Sequence, residues 1–351
     1  NRRFYTDDHY KQYLKSVNKL DIQPIEESKN IEVDIRLRKE NSIFIVEVQN
    51  IKTKEYVEMY RTTSYEHSID LVNKYIKDFN MVGIVQTLRM ILNKENMNMK
   101  KLSILNIKGG VGKTTSTINL ASTLAEEGKK VLIVDIDAQS NSTMLFKAYD
   151  IDALSVSDIL LDKNINVIDV IKDTDFDNID ILPSNISLAF TEKKILLDVT
   201  RNQQNRLKKA LEQVEDKYDY CLIDCPPSLN MITINALVAS DEVIVPIKID
   251  KFALDGLGYL LDSIDEVKDE FNPNLKFLGC FITMDNATTV NKEIKKALKE
   301  LLGEKMFTTN IRQNISVVES TFEQKPLIYY KSKSNASKDY IKLSKEVFKN
   351  G

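Results

Sequence analysis

Gly109, Gly110 and Gly112 stand just ahead of Lys113, Thr114 and Thr115 in the stretch NIKGGVGKTTSTINLAS, residues 106 to 122. Glycines let backbone N–H groups approach an anion closely, and a helix starting at this point adds the positive end of its dipole. A loop of this kind, with Val111 inside it, binds phosphate. Lys113 reaches β- and γ-phosphates, Thr114 offers a hydroxyl to Mg²⁺, and Thr115 is placed for the α-phosphate. Lys108 is one cation more than that chemistry requires. Two further stretches end apolar runs in carboxylates: VLIVDIDAQSN carries Asp135 and Asp137, and YDYCLIDCPPS carries Asp224. Ligands of open α/β sheets bind at the carboxyl ends of strands. A buried Asp224 without a metal or partner would be costly.

These side chains need parallel strands to carry them. KLSILNI, KVLIVDID, IDILPS, YDYCLIDCPP, EVIVPIKI and LKFLGCFIT are apolar runs alternating with helical patterns, the first of these patterns over residues 113–127. Such an order predicts an α/β fold of the P-loop NTPase type, a mostly parallel sheet with helices on both faces. With 351 residues, 42% of them hydrophobic, two domains are expected. A net charge of -3 leaves any contact with nucleic acid to local basic patches. No apolar run approaches the ~20 residues of a membrane span, and the first residues do not read as a signal peptide, so the expected compartment is the cytoplasm. Cys221, Cys225 and Cys280 read as structural thiols, and the only histidines, His9 and His67, have no motif around them.

The polar stretch NKENMNMK near residues 93 to 100 marks a boundary between residues 1–96 and 97–351. Upstream lies a small α+β region. IEVDIRLRKENSIFIVEVQN predicts a β-hairpin turning near Lys39 to Asn41, and residues 64–92 carry helical spacing. NRRFYTDDHYKQYL resembles the wing and following helix of a MerR-like winged helix-turn-helix, a remnant over 1–20 whose reading helix would lie upstream. An exposed arm is the alternative. Asp34, Glu47 and Gln49 distantly resemble the carboxylates of PD-(D/E)xK nucleases, although strands carry such residues by chance.

KGGVGKTT, with its early lysine, resembles the deviant Walker A loop of the ParA/MinD family of ATPases. The resemblance covers roughly residues 100 to 348 and extends to TMDNATTVNKEIKKALKELLGEKMFTTNIRQNISVVESTFEQKPLIYY and SNASKDYIKLSKEVF, which are similar to the C-terminal half of plasmid and chromosome partition ParA proteins. It implies that Lys108 crosses a dimer interface to the partner's nucleotide. It also implies that Asp137 orients the attacking water, that Asp224 holds Mg²⁺ through water as a Walker B carboxylate, and that Asp135 supports the metal site. Where many relatives have Ile-Pro-Arg-Asn, this chain has Ile311, Arg312, Gln313 and Asn314, a departure that puts the contacts of that loop in question.

The function implied is ATP-dependent DNA partition. ATP would drive a sandwich homodimer that binds DNA nonspecifically on the nucleoid, and a ParB-like centromere-binding protein would stimulate hydrolysis and release. Candidate DNA contacts are Lys292, Lys295, Lys296 and Lys299, spaced along one helix face, and Arg312. The alternatives are a regulatory relative or a MinD-like membrane cycler. The latter needs an amphipathic C-terminal helix, whereas Tyr340, Leu343 and Val347 have the spacing of a helix packed on its own core. A kinase relative would want a terminal tyrosine cluster, which Tyr329 and Tyr330 do not make.

Overall fold

The computed structural model describes residues 99–250, 255–286 and 288–348, together with three upstream strands. The chain divides into two compact units, Asn1–Asn96 and Met97–Gly351. In the first, β1 (Ile35–Glu40), β2 (Ile43–Gln49) and β3 (Tyr56–Thr62) form an antiparallel sheet in that order. Glu40 pairs with Ile43, the innermost pair of the expected hairpin. The third strand is not expected from YVEMYRT, whose charged residues break the alternation of a half-buried strand. The winged motif over 1–20, Asp34, the helical pattern over 64–92 and both histidines lie outside the described residues.

The second unit is the α/β fold that the alternating runs predict. Its strands are β4 (Lys100–Ile104), β5 (Val131–Asp135), β6 (Lys172–Asp173), β7 (Ile179–Leu182), β8 (Tyr220–Asp224), β9 (Glu242–Lys248) and β10 (Lys276–Thr283). They lie in the order β10-β9-β4-β8-β5-β7-β6, all parallel except β6 against β7. Strand β6 has only two residues, which blunts that edge of the sheet.

Side chains of the central strands alternate between two hydrophobic cores, one on each face of the sheet. Leu132, Val134, Cys221 and Ile223 enter one core; Val131, Ile133, Tyr220 and Leu222 enter the other. The first core is covered by α3 (Val156–Leu161), α4 (Leu188–Leu197), α5 (Arg206–Leu211), α6 (Met231–Ala239), α7 (Asp255–Glu270) and α8 (Thr289–Leu302). The second is covered by α1 (Lys113–Glu126), α2 (Asn141–Leu145), α10 (Leu327–Lys331) and α11 (Asn335–Val347), with α9 (Ile315–Phe322) preceding α10. All three cysteines are buried and free, as structural thiols should be.

Helix α1 runs between the sheet and α11 and is buried on most sides, so its polar side chains must find partners within the protein. Thr117, Ser122 and Thr123 donate back to the carbonyls of Lys113, Ile118 and Asn119. Asn119 donates to the Thr115 carbonyl at 2.8 Å and accepts from the Leu327 N–H at 2.9 Å, which ties the C-terminal segment to the helix. Tyr340, Leu343, Val347 and Phe348 of the α11 segment are buried in the second core.

Gly279 sits at a register shift in β10 with φ of +151°, and a Cβ built on it would lie 2.2 Å from the Lys305 carbonyl oxygen. Both the backbone conformation and the contact require glycine. Gly279→Ala is therefore expected to lower unfolding free energy by about 2 kcal/mol or more. Urea unfolding of the full chain would measure this, and an unchanged midpoint would contradict it.

Candidate active site

The register of the central strands brings the chemistry together. Ile104 of β4 pairs with Asp224 of β8, and Asp224 pairs in turn with Asp135 of β5, so three strands end level beside the glycine loop. Asn106 anchors the start of that loop: its amide donates to the Pro246 carbonyl at 2.7 Å and its oxygen accepts from the Lys108 N–H at 2.9 Å. At the far end, Thr283 donates to the Val111 carbonyl at 2.8 Å. Gly110 and Gly112 have φ of 68° and 87°, a left-handed conformation that favours glycine. No side chain caps the N-terminus of α1, so its first N–H groups are available to an anion.

Lys113 is 7% exposed and donates to the carbonyl oxygen of Lys108 at 2.9 Å. Burial lowers its pKa, while Asp224, Cys225 and Asp137 oppose that shift by favouring the charged form. Thr114 and Thr115 follow, half-buried, in the first turn. Asp224 is buried and accepts from the Ser142 hydroxyl at 2.7 Å through Oδ2, whereas its Oδ1 has no hydrogen-bond partner among the described residues. Burial pushes its carboxyl up to about 6, against the hydroxyls of Ser142 and Thr114, which favour the ionised form. Asp135 is pushed up to about 7, first by burial and then by the neighbouring Asp224.

Asp135 and Asp137 differ sharply. Both oxygens of Asp135 are engaged: Oδ1 accepts from the Asp137 N–H at 3.1 Å, and Oδ2 from the N–H and hydroxyl of Thr143 at 2.9 and 2.7 Å. It fixes the backbone on which Asp137 rides. Asp137 is half-buried, its Oδ1 accepting from the Gln139 N–H at 2.9 Å and its carbonyl from the Ser184 hydroxyl at 2.8 Å. Lys108 points elsewhere, its ammonium 2.9 Å from Asp250 Oδ1.

The residues present fit a magnesium nucleotide. A hydroxyl and a buried carboxylate oxygen without a partner are hard ligands of the kind Mg²⁺ takes alongside phosphates and water. Among the described residues no group of three or more His, Cys, Asp or Glu side chains could hold a metal, so the protein supplies a partial shell rather than a cage.

The basic candidates lie away from this cluster in sequence and are unequally engaged. Lys292, Lys296 and Lys299 are exposed on α8, with Lys296 3.8 Å from Glu300. Lys295 is paired with Asp285. Arg312 is held by Asp339, its Nε and Nη2 donating to the two carboxylate oxygens at 2.8 and 2.7 Å. Asn106, Ser142, Thr143, Asp250 and Thr283 are additions to the expected site. Ser142 and Thr143 have a signal in the sequence, the polar run DAQSNST after a strand end; Asp250, 142 positions from Lys108, has none.

A family model described as an AAA domain matches residues 99–277. The sporulation initiation inhibitor protein Soj of Bacillus subtilis is 41% identical over 255 residues, covering 72% of this chain and 99% of that protein. The chromosome partitioning protein ParA of Caulobacter vibrioides is 37% identical over 253 residues, 71% of this chain and 94% of its own length. Among solved structures, cobyrinic acid a,c-diamide synthase from Mycobacterium smegmatis, with bound ATP analogue and magnesium, superposes with a TM-score of 0.61 at 30% identity, covering 70% of this chain and 93% of that one.

The raised carboxyl of Asp224 has a consequence for stability. The folded chain prefers its neutral form, so the charged form costs stability at pH above about 6. Asp224→Asn should stabilise the nucleotide-free chain by about 1 kcal/mol or more at pH 8. The gain should shrink as pH falls through about 6 and vanish near pH 4, where the unfolded carboxyl is also protonated. Urea unfolding from pH 4 to 8 would check this, and a variant less stable than wild type at pH 8 would contradict it.

Proposed function

Because the chain belongs to the ParA/MinD family of P-loop ATPases, we propose that it is a DNA-partition ATPase whose ATP-bound homodimer holds DNA nonspecifically and releases it on hydrolysis. The observation that carries the reading is the early lysine, Lys108, on a loop whose other phosphate-binding parts are all present in cis. ATP and Mg²⁺ are the cofactors. The N–H groups from Gly109 to Thr115 and the Lys113 ammonium would hold the phosphates, while Thr114 and Asp224 would hold Mg²⁺, which neutralises phosphate charge when bound. Asp137 orients the attacking water, and Asp135 acts through it by fixing its backbone. Lys108 supplies a cation to the partner's nucleotide, so turnover depends on closure of two subunits.

DNA contact falls to the α8 lysines, where dimerisation doubles the number of phosphate contacts available to a chain with a net charge of -3. Lys292, Lys296 and Lys299 share an exposed face, while Lys295 contributes less because Asp285 already neutralises it. Arg312, committed to Asp339, also contributes less than its position in the altered loop suggested. A ParB-like centromere-binding protein is the expected stimulator, and the nucleoid in the cytoplasm the expected place of action. The MinD-like alternative is weakened because the apolar side chains of α11 that a membrane would need are buried in the second core.

The test is a gel-shift titration with and without ATP across salt concentrations. Binding should require ATP, ignore sequence and weaken steeply with salt. Changing Lys292, Lys296 and Lys299 to Glu should flatten the log–log salt slope by about 0.9 for each DNA phosphate that is no longer neutralised. Arg312→Ala should change it less. ATP-independent or salt-insensitive binding would contradict the reading, and ATP-dependent liposome binding without DNA binding would favour the membrane cycler.

A further inference from the structure

The two lysines of the loop are both satisfied within one chain, and the bonds form a single series. The ammonium of Lys113 donates to the carbonyl oxygen of Lys108. The N–H of Lys108 donates to Asn106, which is itself fixed to the Pro246 carbonyl in β9. The ammonium of Lys108 lies 2.9 Å from Asp250, two residues past the end of that same strand. Every polar group of Lys108, main chain and side chain, is thus tied in cis. Its side chain is 26% exposed and that of Asp250 45%, so the ion pair sits at the surface where it can be exchanged.

We infer that Asp250 is a positioning residue, a cis latch that holds the signature lysine against its own subunit until a nucleotide-loaded partner takes it. This inference rests on the proposed trans role of Lys108 and adds the device that restrains it. The physical reason is competition for one cation. Lys108 cannot lie against Asp250 and reach a nucleotide across an interface at once, so the pair must break as the dimer closes. The breaking is coupled to nucleotide. Phosphates that attract the Lys113 ammonium draw it from the Lys108 carbonyl, which frees the peptide carrying Lys108. A second subunit's triphosphate, more highly charged than one carboxylate, then outcompetes Asp250. Without nucleotide on the partner there is nothing to compete, and the latch disfavours closure of empty subunits.

Half-exposed ion pairs are weak, so the latch is a bias rather than a lock. Its loss should favour closure by at most about fivefold per subunit, or about 25-fold in the constant of a dimer that breaks two such pairs. Sedimentation velocity of the full chain with saturating Mg–ATP, across protein concentrations, reads that constant. Asp250→Asn should lower the dimer dissociation constant by about 3- to 25-fold. Asp250→Glu, which keeps the charge, should stay near wild type, and Asp250→Asn in a Lys108→Ala background should have no effect. An independent readout is the rate at which an amine-reactive ester acylates Lys108 in the nucleotide-free chain, which should rise in Asp250→Asn and not in Asp250→Glu. If Lys108→Ala alone dimerises and turns over like wild type, the trans role falls and the latch with it. If Lys108→Ala is impaired while Asp250→Asn dimerises no better than wild type, or does so equally with and without Lys108, the trans role stands and the latch is overturned.

Discussion

Two carboxylates that the fold would rather protonate are held side by side at the ends of β5 and β8, and the site is organised around what neutralises them. Asp135 and Asp224 pair in register, both fully buried, each pushed up chiefly by loss of solvent. Lys113 is buried beside Asp224, where its charge offsets that carboxylate and burial lowers its own pKa. Asp135 is satisfied by Thr143 and the Asp137 backbone. Asp224 is only half satisfied. The Oδ1 of Asp224, without a partner among the described residues, and the uncapped start of α1 are opposite needs at the carboxyl ends of adjacent central strands, and a magnesium nucleotide meets both.

This arrangement stores charge imbalance in a rigid frame. The strands beneath it are buried on both faces, α1 is clamped by α11, and Asn119 fastens the C-terminal segment to the helix that begins at the loop. Thr283 reaches the loop from β10, so the sheet region following α7 is also linked to phosphate binding. Direct contacts thus connect the phosphate-binding loop and its helix to β10 and to the C-terminal helices.

The sequence was most legible where a feature is local. Glycines with positive φ before a lysine, continuous apolar runs, and aspartates at the ends of those runs each carry their meaning within ten residues, and the strands β4, β5, β7, β8, β9 and β10 follow them closely. Tyr340, Leu343 and Val347 also announced a core-facing helix by spacing alone. Partners set by tertiary packing were not legible. Nothing near Arg312 indicates that Asp339 engages it, nothing near Lys108 indicates Asp250, and the two-residue strand β6 is too short to have a pattern. Charge is visible in a sequence, but its compensation depends on folds that bring distant residues together, as the pairing of Lys295 with Asp285 and of Arg312 with Asp339 illustrates.

The central claim is that Lys108 acts on the partner's nucleotide, and subunit mixing tests it most directly. A Lys108→Ala subunit retains its own phosphate-binding lysine but cannot supply a cation in trans, while a Lys113→Ala subunit keeps Lys108 but cannot hold ATP in its own loop. Each variant alone should be nearly inactive in ATP hydrolysis. Mixed, they should recover part of the wild-type rate, with a maximum near equal proportions, because the heterodimer assembles one complete site from two incomplete chains. A mixture no more active than its components, or a Lys108→Ala protein that hydrolyses ATP at the wild-type rate alone, would contradict the account.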